Sequence, residues 1–478
     1  VLALVPGTPS LAIEPHLALA LFVAPILLDA AYDASPRDLK ANWLPLTSLV
    51  VGGVAVTTLA VAFVVKAMVP AAPWAAVIAL GAIVSPPDAT AATAVLRHVR
   101  PPHRILTILE GESLLNDASA LLIYRLALGA LAANAVSIGT VAPTFLVAVV
   151  GSLVAGPAAA WLSIRATRRI SDAPTTIIVQ FITTFGVWVV AEQIGLSGVL
   201  TMVSFALEVA RPASQATPAR LRIPAYAVWE TAVFVLNVLA FVFIGLQIQP
   251  ILASLDSVVR VHYLWVAGTV LATVIAVRVA WVLTYYGTIR VAQGWLRPSD
   301  SSRSPPTLGG SLIVGWSGMR GIVTLAAALA LPLELGGTPF PYRDLMVLTA
   351  FAVVLGTLVI QGLTLGPLLR RLDLRDDQPV EREAAAARQR ALAAALAVVD
   401  GDDSEDARTV RRELETHLGS ARGERDHAAE AHVRLHHDAL AAARREVFAM
   451  RETGEIGDAA FHRLEEEFDW MEMANGHD

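Results

Sequence analysis

Eleven apolar runs of about 20 residues recur along the first 370 positions, and a run of that length crosses roughly 30 Å of hydrocarbon as a helix. They lie near 11–31, 43–66, 74–96, 105–131, 138–164, 176–194, 197–210, 228–249, 263–289, 309–331 and 344–369. This order predicts an all-α polytopic membrane protein. Orientation follows from the basic residues, because cytoplasmic loops retain Lys and Arg. Loops carrying Arg37 and Lys40, then Arg97, Arg100 and Arg104, then Arg165, Arg168 and Arg169, then Arg211, Arg220 and Arg222, then Arg297 and Arg303 alternate with loops holding one basic residue or none. The richer loops and the tail after Arg370 and Arg371 are expected in the cytoplasm, and the first residues outside. The opening Val-Leu-Ala-Leu-Val-Pro-Gly reads as the end of a hydrophobic span and lacks the basic start of a signal peptide, so a preceding stretch is expected to be missing.

Charge is rationed and unevenly placed. Charged residues make up 16% of the chain, against about 25% in soluble domains. Of 36 basic and 42 acidic residues, positions 370–478 hold 16 and 26, so an acidic tail follows a mildly basic membrane part and nucleic acid is not an expected partner. After Pro379 the sequence turns to Ala, Glu and Arg at helical spacing, too charged for lipid. The expected organisation is a transmembrane domain over 1–372 and a cytoplasmic helical domain over 373–478. There is no cysteine, which excludes disulfides and thiolate metal sites.

Three polar clusters interrupt the apolar runs. The first is Glu110-Gly-Glu-Ser-Leu-Leu-Asn-Asp117, where helical spacing stacks Glu112 over Asn116 and Ser113 over Asp117, giving one wall of a span a set of oxygen ligands. An acid at mid-bilayer costs roughly 2.5–3.5 kcal/mol even on the lenient insertion scale, so it marks a pathway, a partner or an ion. The second is Ser85-Pro86-Pro87-Asp88-Ala89-Thr90 in the middle of the third run. Two prolines remove two backbone donors and break the helix, and irregular backbone persists at that depth only inside protein or beside an aqueous cavity. A simple proline kink with Asp88 capping the next turn is the structural alternative. The third is Gly315-Trp316-Ser317-Gly318-Met319-Arg320-Gly321. Arg320 keeps its charge in lipid and needs an acid or freed carbonyls nearby, as does Arg278. Glu112 and Asp88 are the candidate partners, the pairing stays open, and a structural ion pair is the favoured reading for both arginines.

Asp29 reads either as an interfacial, solvated aspartate or as an ion ligand, and Glu192, Glu208 and Glu230 as end-of-helix carboxylates reaching water. His432 and His436 have a spacing that can hold zinc, but with no third fixed ligand a solvated helix face is expected. No run offers a Ser/His/Asp set, a His-Glu-x-x-His pattern or a phosphate-cradling glycine loop, so an enzyme, and with it a cofactor, is not expected. An oxygen cage of carboxylate, hydroxyl and carbonyl suits a hard cation, and a single exchangeable negative charge suits a monovalent one. A cation channel or a transport-inactive sensor signalling through the tail is the competing class.

With these residues in view, the chain resembles the monovalent cation/proton antiporters of the branch that includes bacterial NhaP and the animal sodium/proton exchangers. The resemblance rests on Gly81-Ala-Ile-Val-Ser-Pro-Pro-Asp88, Glu110 through Asp117, Ala191-Glu192 through Leu196-Ser-Gly198, Gly318-Met-Arg-Gly321 and Gln361-Gly-Leu-Thr-Leu365, and runs in order from Pro25 to about Leu372. It implies two inverted repeats with crossed broken helices, of which this chain lacks the first span and most of the second, and a homodimer in the full-length protein. It implies Asp117 as the carboxylate that takes either Na+ or K+ or a proton, with Asn116 beside it, and oxygens from Ser113, Asp29 and the backbone at Pro87. Glu112 with Arg320, and Asp88 with Arg278 or Arg320, are implied as supporting ion pairs. The expected activity is electroneutral cation/proton exchange serving pH homeostasis in the cell membrane.

Overall fold

A computed structural model describes residues 15–89, 92, 93, 96, 101–132, 138–216, 219–295, 307–335, 338–372, 374, 379–399, 404–421, 439–450, 453, 461, 464, 468 and 471. The chain divides into two units, 1–376 and 377–478. In the first, α1 (Pro15–Asp33) is followed by the short α2 (Pro36–Ala41) and α3 (Trp43–Thr47), a π-helical turn (Ser48–Gly53) and α4 (Val54–Met68). Then come α5 (Trp74–Val84), α6 (His103–Ala132), α7 (Ile138–Thr167), α8 (Ala173–Gln193), α9 (Gly198–Ala216), α10 (Ala219–Ser254) and α11 (Ser257–Trp295). The short α12 (Leu308–Trp316) and α13 (Ile322–Leu329), a two-stranded ribbon of β1 (Glu334–Leu335) and β2 (Thr338–Pro339), and α14 (Arg343–Leu372) complete it.

Local sequence explains the ends. Ser35 accepts from the Asp38 N–H ahead of Pro36, Asp172 accepts from the Thr175 N–H at the start of α8, and Thr307 accepts from the Gly310 N–H at the start of α12. Among the described residues seven helices are long and apolar enough to cross a membrane, and three apolar helices are shorter. The expected run at 309–331 is not one span: it is cut between α12 and α13, at Ser317–Gly321.

The helices sort into two bundles. The first packs α4, α5, α6, α11, α12 and α14 together, and the second packs α1, α7, α8, α9 and α10, with α13 touching both. Large apolar side chains on α7, α8 and α10, such as Val154, Trp161, Ile182 and Phe234, face outward and are exposed, as a lipid-facing surface requires. The interior is small and aliphatic, with Ala24, Ala62, Ala79, Ala82 and Ala350 wholly buried, which lets helix backbones approach closely.

In the second unit α15 (Pro379–Val399) packs on α16 (Glu405–Ala421), and Arg411 donates to the Val399 carbonyl at 2.9 Å. Residues 439–450 are helical, and the Phe448 ring meets Phe461 edge-on with centroids 6.2 Å apart. His432 and His436 lie outside the described residues.

Candidate functional site

Helix α5 stops at Val84 because Pro86 and Pro87 have no N–H to donate to its last turn. The chain runs on without helical bonding through Ser85–Asp88 and becomes helical again at Ala89. A second break separates α12 from α13 at Ser317–Gly321. The two breaks meet: the Asp88 N–H donates to the Met319 carbonyl at 2.7 Å, and the Arg320 guanidinium donates to the Ser85 carbonyl. The Arg320 N–H in turn donates to Thr357 Oγ1 of α14 at 3.0 Å. Backbone groups released by the breaks therefore find partners inside the protein, which their depth in an apolar bundle demands. Gly321 is required here by space, since a Cβ at that position would lie 1.6 Å from Asp88 Oδ2.

Helix α6 closes the site from the other side. Asn116 Nδ2 donates to the Pro87 carbonyl at 2.8 Å, and the Ala89 N–H donates to Ser113 Oγ at 3.1 Å. Asn116 is 0% exposed and its Oδ1 has no hydrogen-bond partner, so one amide oxygen is left available in a dry environment. Asp117 follows directly and is 6% exposed. Ser113, Asn116 and Asp117 thus lie on the stretch of α6 that docks on the break. Hydroxyl, amide, carbonyl and carboxylate oxygens are the groups that a hard cation accepts.

One position before Ser113, Glu112 forms a two-pronged pair with Arg278 of α11, at 2.6 and 2.9 Å, and Arg278 also donates to the Val314 carbonyl at 3.0 Å. The resemblance had implied Glu112 with Arg320; the structure gives Glu112 to Arg278 instead. The reason lies in the second break, where Arg320 meets the carbonyl that the prolines have released, while Arg278 reaches Glu112 from α11. Asp88 keeps its backbone N–H on Met319 and its carboxylate against Gly321.

Asp29 lines a cavity of about 400 Å³ together with Tyr32, Arg168, Arg222, Tyr226 and Trp229, and none of Ser113, Asn116, Asp117 or Pro87 is in that wall. Glu192, read from the sequence as a solvated helix end, is held by Arg125 of α6. Glu230 is exposed. Thr357 was missed, and no signal in the sequence marks one threonine in an apolar helix. Arg125 was visible as a lone cation near the end of an apolar run and drew no attention.

Comparison with known proteins agrees with this architecture. The transmembrane sodium/hydrogen exchanger family matches residues 2–371. The chain is 33% identical over 368 residues to a sodium, potassium, lithium and rubidium/proton antiporter of Bacillus subtilis, covering 75% of this chain and 54% of that protein. It is 30% identical over 417 residues to the protein of the same description from Bacillus pumilus, covering 85% of this chain and 61% of that one. The chain therefore spans little more than half the length of these relatives. Among solved structures, the sodium proton antiporter MjNhaP1 from Methanocaldococcus jannaschii at pH 8 aligns with a TM-score of 0.58 over 75% of this chain and 88% of that one, at 17% identity, a likeness of fold. An integral membrane protein with two broken helices meeting beside a buried Asn-Asp pair, matched along its membrane part by that profile, belongs to the sodium/hydrogen exchanger family.

Proposed function

We propose that this protein exchanges Na+ or K+ for protons across the cell membrane, one for one, by competition at Asp117. The observation that carries the reading is the docking of the Pro87 break on α6 through Asn116, one residue before the buried Asp117. Ser113 Oγ, the Pro87 carbonyl, Asn116 Oδ1 and the Asp117 carboxylate are the proposed ligands of the loaded cation. Asp29, on its separate cavity wall, is proposed to act on the cation's approach. The Glu112–Arg278 pair and the contacts of Arg320 and Asp88 hold this cage and do not touch the ion. The Bacillus relatives are described as antiporters of several alkali cations, in keeping with a cage of neutral oxygens around one charge.

Competition fixes the charge carried. A site loaded with one proton or one monovalent cation has the same net charge, so rocking one bundle against the other moves no current. The tail beyond 373 is proposed to lie in the cytoplasm, the working form to be a homodimer, and the activity to serve pH homeostasis. The test is dissipation of a preset pH gradient in liposomes on adding NaCl or KCl. Asp117→Asn is expected to abolish the response while elution on size exclusion stays unchanged, and full exchange by that variant would remove Asp117 from the mechanism. Voltage-driven current without proton coupling would replace exchange by a channel.

A further inference from the structure

Two turns beyond Asp117, about 12 Å along α6 at 1.5 Å per residue, stands Arg125. One of its guanidinium nitrogens hydrogen-bonds both carboxylate oxygens of Glu192, at the end of α8, and the other donates to the Leu196 carbonyl at 3.3 Å. Glu192 Oε1 also accepts from the Gly198 N–H at 2.9 Å. The receiving loop is held by bonds of its own. Gly195 reverses the chain at φ +77°, and the Ser197 N–H donates to Ser152 Oγ of α7 at 2.9 Å. Gly198 has no room for a side chain, since a Cβ would lie 2.7 Å from Glu192 Oε1 and 2.9 Å from the Trp188 ring.

Arg125 belongs to the bundle that carries Asp117, whereas Glu192, Leu196 and Gly198 belong to the bundle of α7, α8 and α9. By the distribution of basic loops, α6 and α8 both start at the cytoplasmic face, so this contact lies toward the outer one. We propose that Arg125 and Glu192 are a positioning pair for exchange: they latch the site helix to the other bundle on the outer side and bias Asp117 toward inward access. The proposal rests on the exchange reading above. It gains force from a contrast between two pairs. Glu112 and Arg278, 2% and 6% exposed, join helices of one bundle and gain nothing from separating. Arg125 and Glu192, 40% and 22% exposed, cross between bundles and are not sealed in the interior of either. A contact of that kind biases an equilibrium without locking it.

The chain has no cysteine, so a single reporter can be installed without background. Leu121→Cys places a thiol one turn from Asp117 on the way to Arg125, at a position 8% exposed. Its labelling by a membrane-impermeant maleimide is measured from the outer side of oriented vesicles. Adding Glu192→Gln or Arg125→Gln is expected to raise the outer labelling rate about tenfold, a shift of about 1.4 kcal/mol, with Arg125→Lys intermediate because it keeps the charge and loses the fork. In exchange assays the same variants are expected to weaken half-saturation by cation from the inner face and strengthen it from the outer face, since apparent affinity scales with the competent population. A merely structural role would lower turnover and leave that ratio alone. Unchanged labelling and an unchanged ratio in folded Arg125→Lys and Glu192→Gln proteins overturn the proposal. The labelling needs no transport, so a parent protein that exchanges no cation counts against the exchange reading alone.

Discussion

Asn116 donates its amide to the Pro87 carbonyl, and that bond, with the one from the Ala89 N–H to Ser113 Oγ, ties α6 to the broken helix. Removing it with Asn116→Ala strands a buried carbonyl, which costs about 1–3 kcal/mol. The variant is expected to melt earlier and to need more cation for half-maximal exchange, because the Pro87 oxygen loses its position along with its partner. Glu112 and Arg278 make the opposite kind of test. Arg278→Ala leaves a carboxylate alone at 2% exposure, and breaking a buried pair from one side costs about 3–5 kcal/mol. Adding Glu112→Gln removes the stranded charge, so the double variant is expected to be more stable than Arg278→Ala by thermal unfolding in detergent. Additivity of the two losses would mean that the side chains do not act as a unit.

Broken elements carry the site, and their breaks differ in how the sequence announces them. Pro86 and Pro87 state the first in covalent chemistry, because a missing N–H interrupts a helix wherever the bundle places it. The second depends on Gly321 meeting the Asp88 carboxylate across some 230 positions, a fact of packing that no local pattern contains. Gly321→Ala is accordingly expected to disrupt the crossing, seen as loss of exchange with helical content retained by circular dichroism. The long apolar helices, though not the cut run at 309–331, and the place of Ser113, Asn116 and Asp117 on one helix were legible for the same reason as the prolines: period and length are local. The partner of Glu112 was not, since two arginines of identical chemistry compete and only the crossing geometry assigns them. Helix α8 offers a milder test at its exposed start. There the Thr175 hydroxyl and N–H hold the Asp172 carboxyl below the usual aspartate range. A folded-state value depressed in this way adds stability above the unfolded value, which is lost as pH falls through the folded one. The protection of the Thr175 and Thr176 amides, taken relative to their intrinsic exchange rates, should therefore fall in acid, and Asp172→Asn should flatten the change.

At the scale of the molecule, the proposed competition at Asp117 also sets the stoichiometry. Arg278 is matched by Glu112, and the Arg320 head group lies against a carbonyl, so the exchangeable charge in the proposed cage is that of Asp117. Each unit of pH below the point where Asp117 half-protonates raises the proton's advantage by 1.36 kcal/mol, so a competing cation needs about tenfold more concentration to hold the site. Plotting the logarithm of half-saturating Na+ against pH is expected to give a slope near −1 in acid and a plateau in base, with the maximal rate unchanged by an imposed voltage. A slope near −2, or a rate that follows voltage, would require a second titrating group in the transported body.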